Sequence, residues 1–355
     1  MAEARGAVNA QDVADYFTRR LAAPVAIKGL HRTFPGVSRE TWLVDAEVGG
    51  EARGFVLRLD PPGGASVPQS LRHEWEVYTR LWTSPVPVAE PLWFDEGIEF
   101  AGGRPHMVRR LVEGSTHIPG LTDPSPEGDR LRRQVTIEHV EKLAQLHCLD
   151  WQAHGFAECM PVPASPADAL REEFTCWRDL WTQGRTEPFP LVTEALCWLE
   201  EHLPSDTPRI SLVKGNNGVG EEIWREGRIV AMSDWELASL GDGALDLAFS
   251  QGTLALHDFG AAIKHYEACV GHAVSPHRLA FCMFWIIFKA MVCLNAYLLP
   301  SFLRGDDHRM TGPAFGLIFV KNSERRLAAC IGKDLVDAWR EISGGWTSTY
   351  AGFGD

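Results

Sequence analysis

The sequence predicts a two-lobed α+β protein, and three observations carry that prediction. The first hundred or so residues are rich in strand and turn signals, and the residues beyond them are dominated by helical periodicity. The helical part is interrupted once, between Ile210 and Ser239, by a strand–loop–strand section. In the first part, residues 25–30, 41–46 and 54–59 alternate or run apolar between breaks at Pro35-Gly36, Gly49-Gly50 and Pro61-Pro62-Gly63-Gly64. Leu71, Trp75, Tyr78 and Leu81-Trp82 recur at helical spacing and predict a helix over 70–83. A proline-broken stretch follows, then an apolar strand over 106–112. Further on, helices are expected over 136–149, 166–183, 190–202, 261–270, 279–299 and 321–342. No internal repeat or low-complexity segment stands out. No Gly-x-Gly-x-x-Gly opens a helix after a strand, which excludes a Rossmann reading, and neither a Walker loop nor a Gly-x-Ser-x-Gly elbow is present.

With 355 residues the chain is long enough for a sizeable core without disulfides or metals. Lys+Arg 34 against Asp+Glu 47 gives a net charge of −13. That balance disfavours nucleic acid and anionic membrane surfaces, both of which call for excess Lys and Arg. It suits a small molecule, a cationic ligand or a metal held among carboxylates. The eight cysteines are scattered singly, none in a zinc-type pair, and the N-terminus has no apolar signal core. The most apolar run, 279–299, is interrupted by Lys289 and Asn295, so it is expected to be a core helix and not a membrane span. A cytoplasmic protein is the expectation; oligomeric state is not readable. Most of the thirteen tryptophans, among them Trp75, Trp82, Trp93, Trp177, Trp181, Trp198 and Trp285, are expected in the core, and Trp224 as a wall of the cleft. His147 is expected to be a buried support.

The informative segment runs from Ile210 to Ala248. An apolar strand over 227–232 delivers Asp234 at its end, a glycine turn presents Asp242, and Asp246 opens the next helix. A carboxylate at a strand end suits a divalent cation facing phosphate, although such acids also cap turns and helices. The run from Asp234-Trp235-Glu236 to Gly241-Asp242 and Asp246 resembles the metal-binding segment of the aminoglycoside-phosphotransferase-like kinases, in the branch found beside acyl-CoA dehydrogenases. The Phe55–Arg58 strand resembles the branch's phosphate-facing strand, and the His73–Tyr78 helix its lobe helix with Glu74 as the ion-pair acid. The proline-rich 85–91 resembles its crossing, 108–114 its hinge, and Leu143–His147 the helix supporting its catalytic loop. The resemblance spans about residues 20 to 340 and implies a protein-kinase-like fold. It divides the chain into an N-lobe (1–106, a five-stranded sheet with one helix), a hinge (107–114) and a helical C-lobe (115–355). The C-lobe holds the loop 214–221 and the metal-type segment 234–246.

The departures from the family's pattern fall where its chemistry is. Its loop reads His-Gly-Asp, four residues, Asn; this chain has Lys214-Gly215-Asn216-Asn217-Gly218-Val219-Gly220-Glu221. The base has become Asn216, the metal-binding Asn has become Glu221, and Lys214 adds a cation beside both. Pro35 in the nucleotide loop has no N–H for a phosphate, while Arg58 can still hold one. Three functions follow. The first is acid–base chemistry on a small hydrophobic alcohol, a dehydratase or hydratase without nucleotide. Its catalytic candidates are Glu221, Asp234, Lys214 and Asn216, and its cleft residues Arg58, Glu74, Trp224 and Asn217. The second is a divergent phosphotransferase using ATP and Mg²⁺, with Asp234 and Glu221 on the metal. The third is a non-catalytic pseudokinase in which Lys214 pairs with Glu221 or Asp234. The 279–299 helix, with Phe284, Trp285, Phe288 and Tyr297, is expected to be mainly core, and the exposed edge it turns to the cleft in the fold the resemblance implies hints at a hydrophobic ligand.

Overall fold

A computed structural model describes residues 8–33, 38–306 and 309–343. Pro35, and with it the expectation about the nucleotide loop, lies outside the described residues. The N-lobe is a five-stranded antiparallel sheet in the order β1-β2-β3-β5-β4: β1 (Val25–Arg32), β2 (Glu40–Val48), β3 (Glu51–Leu59), β4 (Pro91–Asp95) and β5 (His106–Arg110). Gly49 and Gly50, both at positive φ, close the β2–β3 hairpin. The proline-broken stretch contains β4, which Pro91 can open because β4 is an edge strand and gives up no central ladder bond. The period of two along β3 buries Phe55, Leu57 and Leu59 on one face and leaves Arg58 on the other, toward the cleft.

The lobe has two helices, and the sequence reading expected one. Helix α1 (Ala10–Leu21), capped by Asn9, buries Val13, Tyr16 and Phe17 against the sheet. Helix α2 (Leu71–Leu81) is capped by Ser70 and buries Leu71, Glu74, Val77, Tyr78 and Leu81, so Glu74 shares its apolar face. Trp82, expected in the core, lies one residue past that face and is 50% exposed. Because β5 continues to Arg110, the connector between the lobes shortens to residues 111–114.

The C-lobe begins with α3 (Pro126–His147), which starts ten residues before the expected position because Ser125 caps it and Pro126 fits its first turn. Helices α4 (Ala169–Gly184) and α5 (Pro190–Glu201) follow. The section 210–239 supplies β6 (Ser211–Val213), β7 (Glu222–Arg225), β8 (Arg228–Met232) and β9 (Ser239–Gly241), paired as β6–β9 and β7–β8. Helices α6 (Ala244–Phe249), α7 (Gln251–Leu254) and α8 (Phe259–Val270) lead to α9 (Pro276–Met291). The continuous helix Pro276–Leu303 is long and apolar enough to cross a membrane, yet 72% of its apolar window is buried in the fold. The two polar residues that interrupt it are satisfied: Lys289 pairs with Glu173 at 2.7 Å, and Asn295 bonds Thr186 and the Gly316 carbonyl. The single helix expected over 321–342 is two, Val320–Ala328 and Leu335–Ser343, parted at a turn where Gly332 is left-handed.

Candidate active site

The loop 214–221 connects β6 to β7, and Asp234 follows β8, so the two short sheets bring them together. The loop is held from behind. Asp246 accepts the backbone N–H groups of Lys214 (2.7 Å) and Gly215 (2.8 Å) and contacts His147 Nε2 at 3.0 Å, while His147 Nδ1 lies 2.6 Å from the Tyr266 hydroxyl. His147 is thus the buried support the sequence predicts. Gly215, at φ +80, comes so near the Leu237 carbonyl that a Cβ would stand 2.3 Å from it. Those bonds hold the Asp246 carboxyl below the usual carboxylate range, outweighing its burial.

In front of the loop lies a network of ion pairs across the lobes. Arg58 reaches Asp234 (2.6 Å), Glu236 (2.8 Å) and Glu74 (2.9 Å). Arg39, fully buried at its side chain, bonds Asp60 (2.7 Å), Glu236 (2.9 Å) and the Gln69 carbonyl. Asn216 donates to the other oxygen of Asp234. Asp234 itself sits at φ 65, an uncommon conformation for a residue with a side chain. Desolvation opposes ionisation of Asp234, whose side chain is 15% exposed, but Arg58, Lys214 and Asn216 together hold its carboxyl low. Burial and the negative charge of Asp234 push Glu221 and Glu236 the other way, each up to about 7. The structure therefore brings Arg58, Glu74, Asn216, Asp234, Glu221 and Lys214 together, as the sequence predicts.

Several expectations fail. Lys214 makes no ion pair with Glu221 or Asp234 among the described residues; its ammonium donates to the Asn216 carbonyl and stands over the Trp235 ring, so it acts on the acids only through its field. Trp224 is not a cleft wall: it is 5% exposed and packs in the main core, with its backbone bridged to Ser115. Asp242 belongs elsewhere, bonded to Thr207, Arg278 and the Ala244 N–H. By contrast, Phe284, Trp285 and Phe288 are wholly buried, as expected of a core helix. Sequence reasoning missed Arg39 as an ion-pair partner of the site, whereas Glu236 was gathered with Asp234 in the metal-type segment. Glu236 stood two residues from Asp234 and was readable; Arg39 carried no signal, because its partner is 197 residues away.

The residues do not fit a bound magnesium ion as they stand. Both oxygens of Asp234 are engaged, by a guanidinium and an amide, and Glu221 titrates near neutrality. Among the described residues no group of three or more His, Cys, Asp or Glu is arranged to hold a metal.

Fold and loop together define a kinase-like phosphotransferase scaffold. The sequence profile of the phosphotransferase enzyme family matches residues 32–263, and the chain belongs to that family. Acyl-CoA dehydrogenase family member 11 of Gallus gallus is 26% identical over 332 residues, covering 86% of this chain and 40% of that protein. The Homo sapiens protein of the same name is 25% identical over 205 residues, covering 55% of this chain and 24% of its own length. The chain thus spans less than half the length of these relatives. Among solved structures, a Ralstonia eutropha protein described as a candidate aminoglycoside phosphotransferase aligns with TM-score 0.66 at 19% identity, covering 92% of this chain and 99% of its own. An aminoglycoside phosphotransferase APH(4)-Ia variant, in complex with ADP and hygromycin B, aligns with TM-score 0.58 at 18% identity, covering 89% and 98%. At these identities the neighbours establish the fold.

Proposed function

We propose that this protein moves protons on a small hydroxylated substrate, adding or removing water, without a nucleotide. The observation that supports this reading is the unlike state of two neighbouring carboxyls. Asp234 has both oxygens engaged, whereas the Glu221 carboxyl has no hydrogen bond or ion pair among the described residues. A group titrating near neutrality can both take and return a proton. Asp234, held ionised, is a weak base and serves as the fixed charge that keeps Glu221 in that range. In the dehydrating direction Glu221 takes a proton from the carbon beside the alcohol carbon. The C–H electron pair becomes the new C=C bond as the C–O bond breaks, and Glu221 returns the proton to the departing hydroxide as water. The free state of all eight cysteines supports a reducing compartment, the cytoplasm.

The phosphotransferase reading keeps one structural support: the 2.9 Å contact between Arg58 and Glu74 occupies the place of a kinase's cation–glutamate pair. Two measurements separate the readings. Mg²⁺ and ATP, singly and together, should leave the unfolding temperature unchanged, and hydroxy-carbonyl compounds incubated with enzyme should develop the ultraviolet band of a conjugated carbonyl. Rate should rise with pH through about 7 as Glu221 ionises, and Asp234→Asn should move that limb to lower pH by about one unit. Joint stabilisation by Mg²⁺ and ATP with phosphate transfer to an alcohol would overturn the proposal.

A further inference from the structure

We propose that Asn217 reads the carbonyl oxygen of the substrate, which makes the substrate a β-hydroxy carbonyl compound. The inference rests on the proton-transfer reading above and specifies its substrate class. Asn217 is 9% exposed, and neither its amide oxygen nor its amide nitrogen has a hydrogen-bond partner. A buried carboxamide with both ends unmatched is costly, and such groups in native proteins call for an explanation. An apolar residue of the same size would avoid the cost. Asn217 lies in the loop that carries Glu221: Asn216 before it is tied to Asp234, and the Glu221 N–H closes a turn onto the Gly218 carbonyl.

The chemistry asks for such a group. A carboxylate takes a proton from carbon only when the electron pair left behind can be delocalised, and an adjacent carbonyl does this by placing charge on its oxygen. That oxygen needs a donor which is fixed in place and not spent elsewhere. The cationic groups of the cleft already face carboxylates or carbonyls: Arg58 pairs with Asp234, Glu236 and Glu74, its Nε making no hydrogen bond, Arg39 with Asp60 and Glu236, and Lys214 donates to the Asn216 carbonyl. The Asn216 amide is committed to Asp234. The Asn217 amide is the neutral group of this loop left unpaired at both ends. Its N–H would donate to the carbonyl oxygen as the C–H bond breaks and charge accumulates there. Its own oxygen is left to accept from the substrate hydroxyl. The products are the α,β-unsaturated carbonyl compound and water, so no further reactant is needed.

The test compares two probes that differ only in the carbonyl, methyl 3-hydroxyoctanoate and 1-methoxyoctan-3-ol, by calorimetric titration of the whole protein. The wild type should bind the ester about tenfold more tightly, the worth of one well-placed hydrogen bond. Asn217→Leu should bind both probes equally while unfolding at the same or a higher temperature. Should Asn217→Leu not fold, Asn217→Asp keeps the shape, loses the donor and should also abolish the preference. A wild type that does not discriminate, or a variant that still does, overturns the assignment. Asn217-dependent discrimination by a protein that never forms the conjugated ester would instead sink the proton-transfer reading and leave this recognition role standing.

Discussion

The protein contains two buried acidic clusters less than a loop's width apart in sequence, and they are built on opposite principles. Behind the loop, Asp246 is matched by two backbone N–H groups and His147, and its carboxyl is held low. In front of it, Asp234, Glu236 and Glu74 share Arg58 and Arg39 while Glu221 stands beside them unpaired, and Glu221 and Glu236 are pushed up to about 7. Both clusters are largely shielded from water, although Glu221 and Asp234 keep some exposure, so burial alone does not account for the difference. The charge around each carboxyl does: Asp246 is met by N–H groups and His147, whereas Glu221 and Glu236 each stand in the negative field of Asp234. A carboxylate whose donors are all supplied by the fold is scaffold, whereas one left short of donors can still exchange protons.

The largest effect expected from this contrast comes from breaking the satisfied cluster. Asp246→Ala strands the Lys214 and Gly215 N–H groups and the His147 ring, each costing about 1–3 kcal/mol, so roughly 3–9 kcal/mol of stability should be lost. That is a large share of a domain's margin. Because the folded-state pKa of Asp246 is lowered, its contribution is present above its unfolded value of 3.8 and is lost only as pH falls through the lower folded value. Denaturant midpoints should therefore drop throughout the neutral range; an unchanged midpoint would remove the scaffold role. Next comes Arg58→Met, which leaves Asp234, Glu236 and Glu74 without their shared cation and should cost roughly 3–4 kcal/mol at neutral pH. Here the loss should shrink on acidification, since the stranded carboxyls can take up protons. A loss independent of pH would mean that Arg58 matters for packing alone.

The two clusters also differed in how far they could be read from sequence. Asp246 and His147 were legible, because each lies in a short motif whose partners sit on neighbouring elements. Arg58, Glu74, Glu221 and Asp234 were legible through the resemblance, which supplied the long-range pairing that local pattern lacks. Arg39 was not, since its role depends on Glu236 in the other lobe. The fold shows the same division. Strands β1–β3 follow from alternation and glycine turns, but α1 was missed because its apolar stripe is only Val13, Tyr16 and Phe17 on a short polar helix. Trp82 and Trp224 were misplaced for a common reason. Being aromatic and near a periodic stretch does not decide which side of the last helical turn, or which face of a short strand, a residue takes.

The smallest effect is the most discriminating, because its sign runs against the usual expectation for a substitution. Glu221→Gln should abolish proton transfer yet stabilise the fold. The Glu221 carboxyl is raised from 4.5 to about 7 by burial and by Asp234, so between these values the native state binds more protons than the unfolded chain. Stability of the wild type therefore falls as pH rises across that window and levels off above it. Glutamine has no proton to lose and escapes the penalty. The variant should match the wild type near pH 4.5 and exceed it at pH 8 by roughly 1–2 kcal/mol, the full shift being discounted for the partial exposure of Glu221. Thermal unfolding of both proteins across that pH range checks it. A gain at pH 8 accompanied by lost activity would identify Glu221 as strained for function, as expected where stability and activity trade against each other. A variant less stable than the wild type at pH 8 would show that the Glu221 carboxylate is matched after all, and the contrast between the two clusters would collapse.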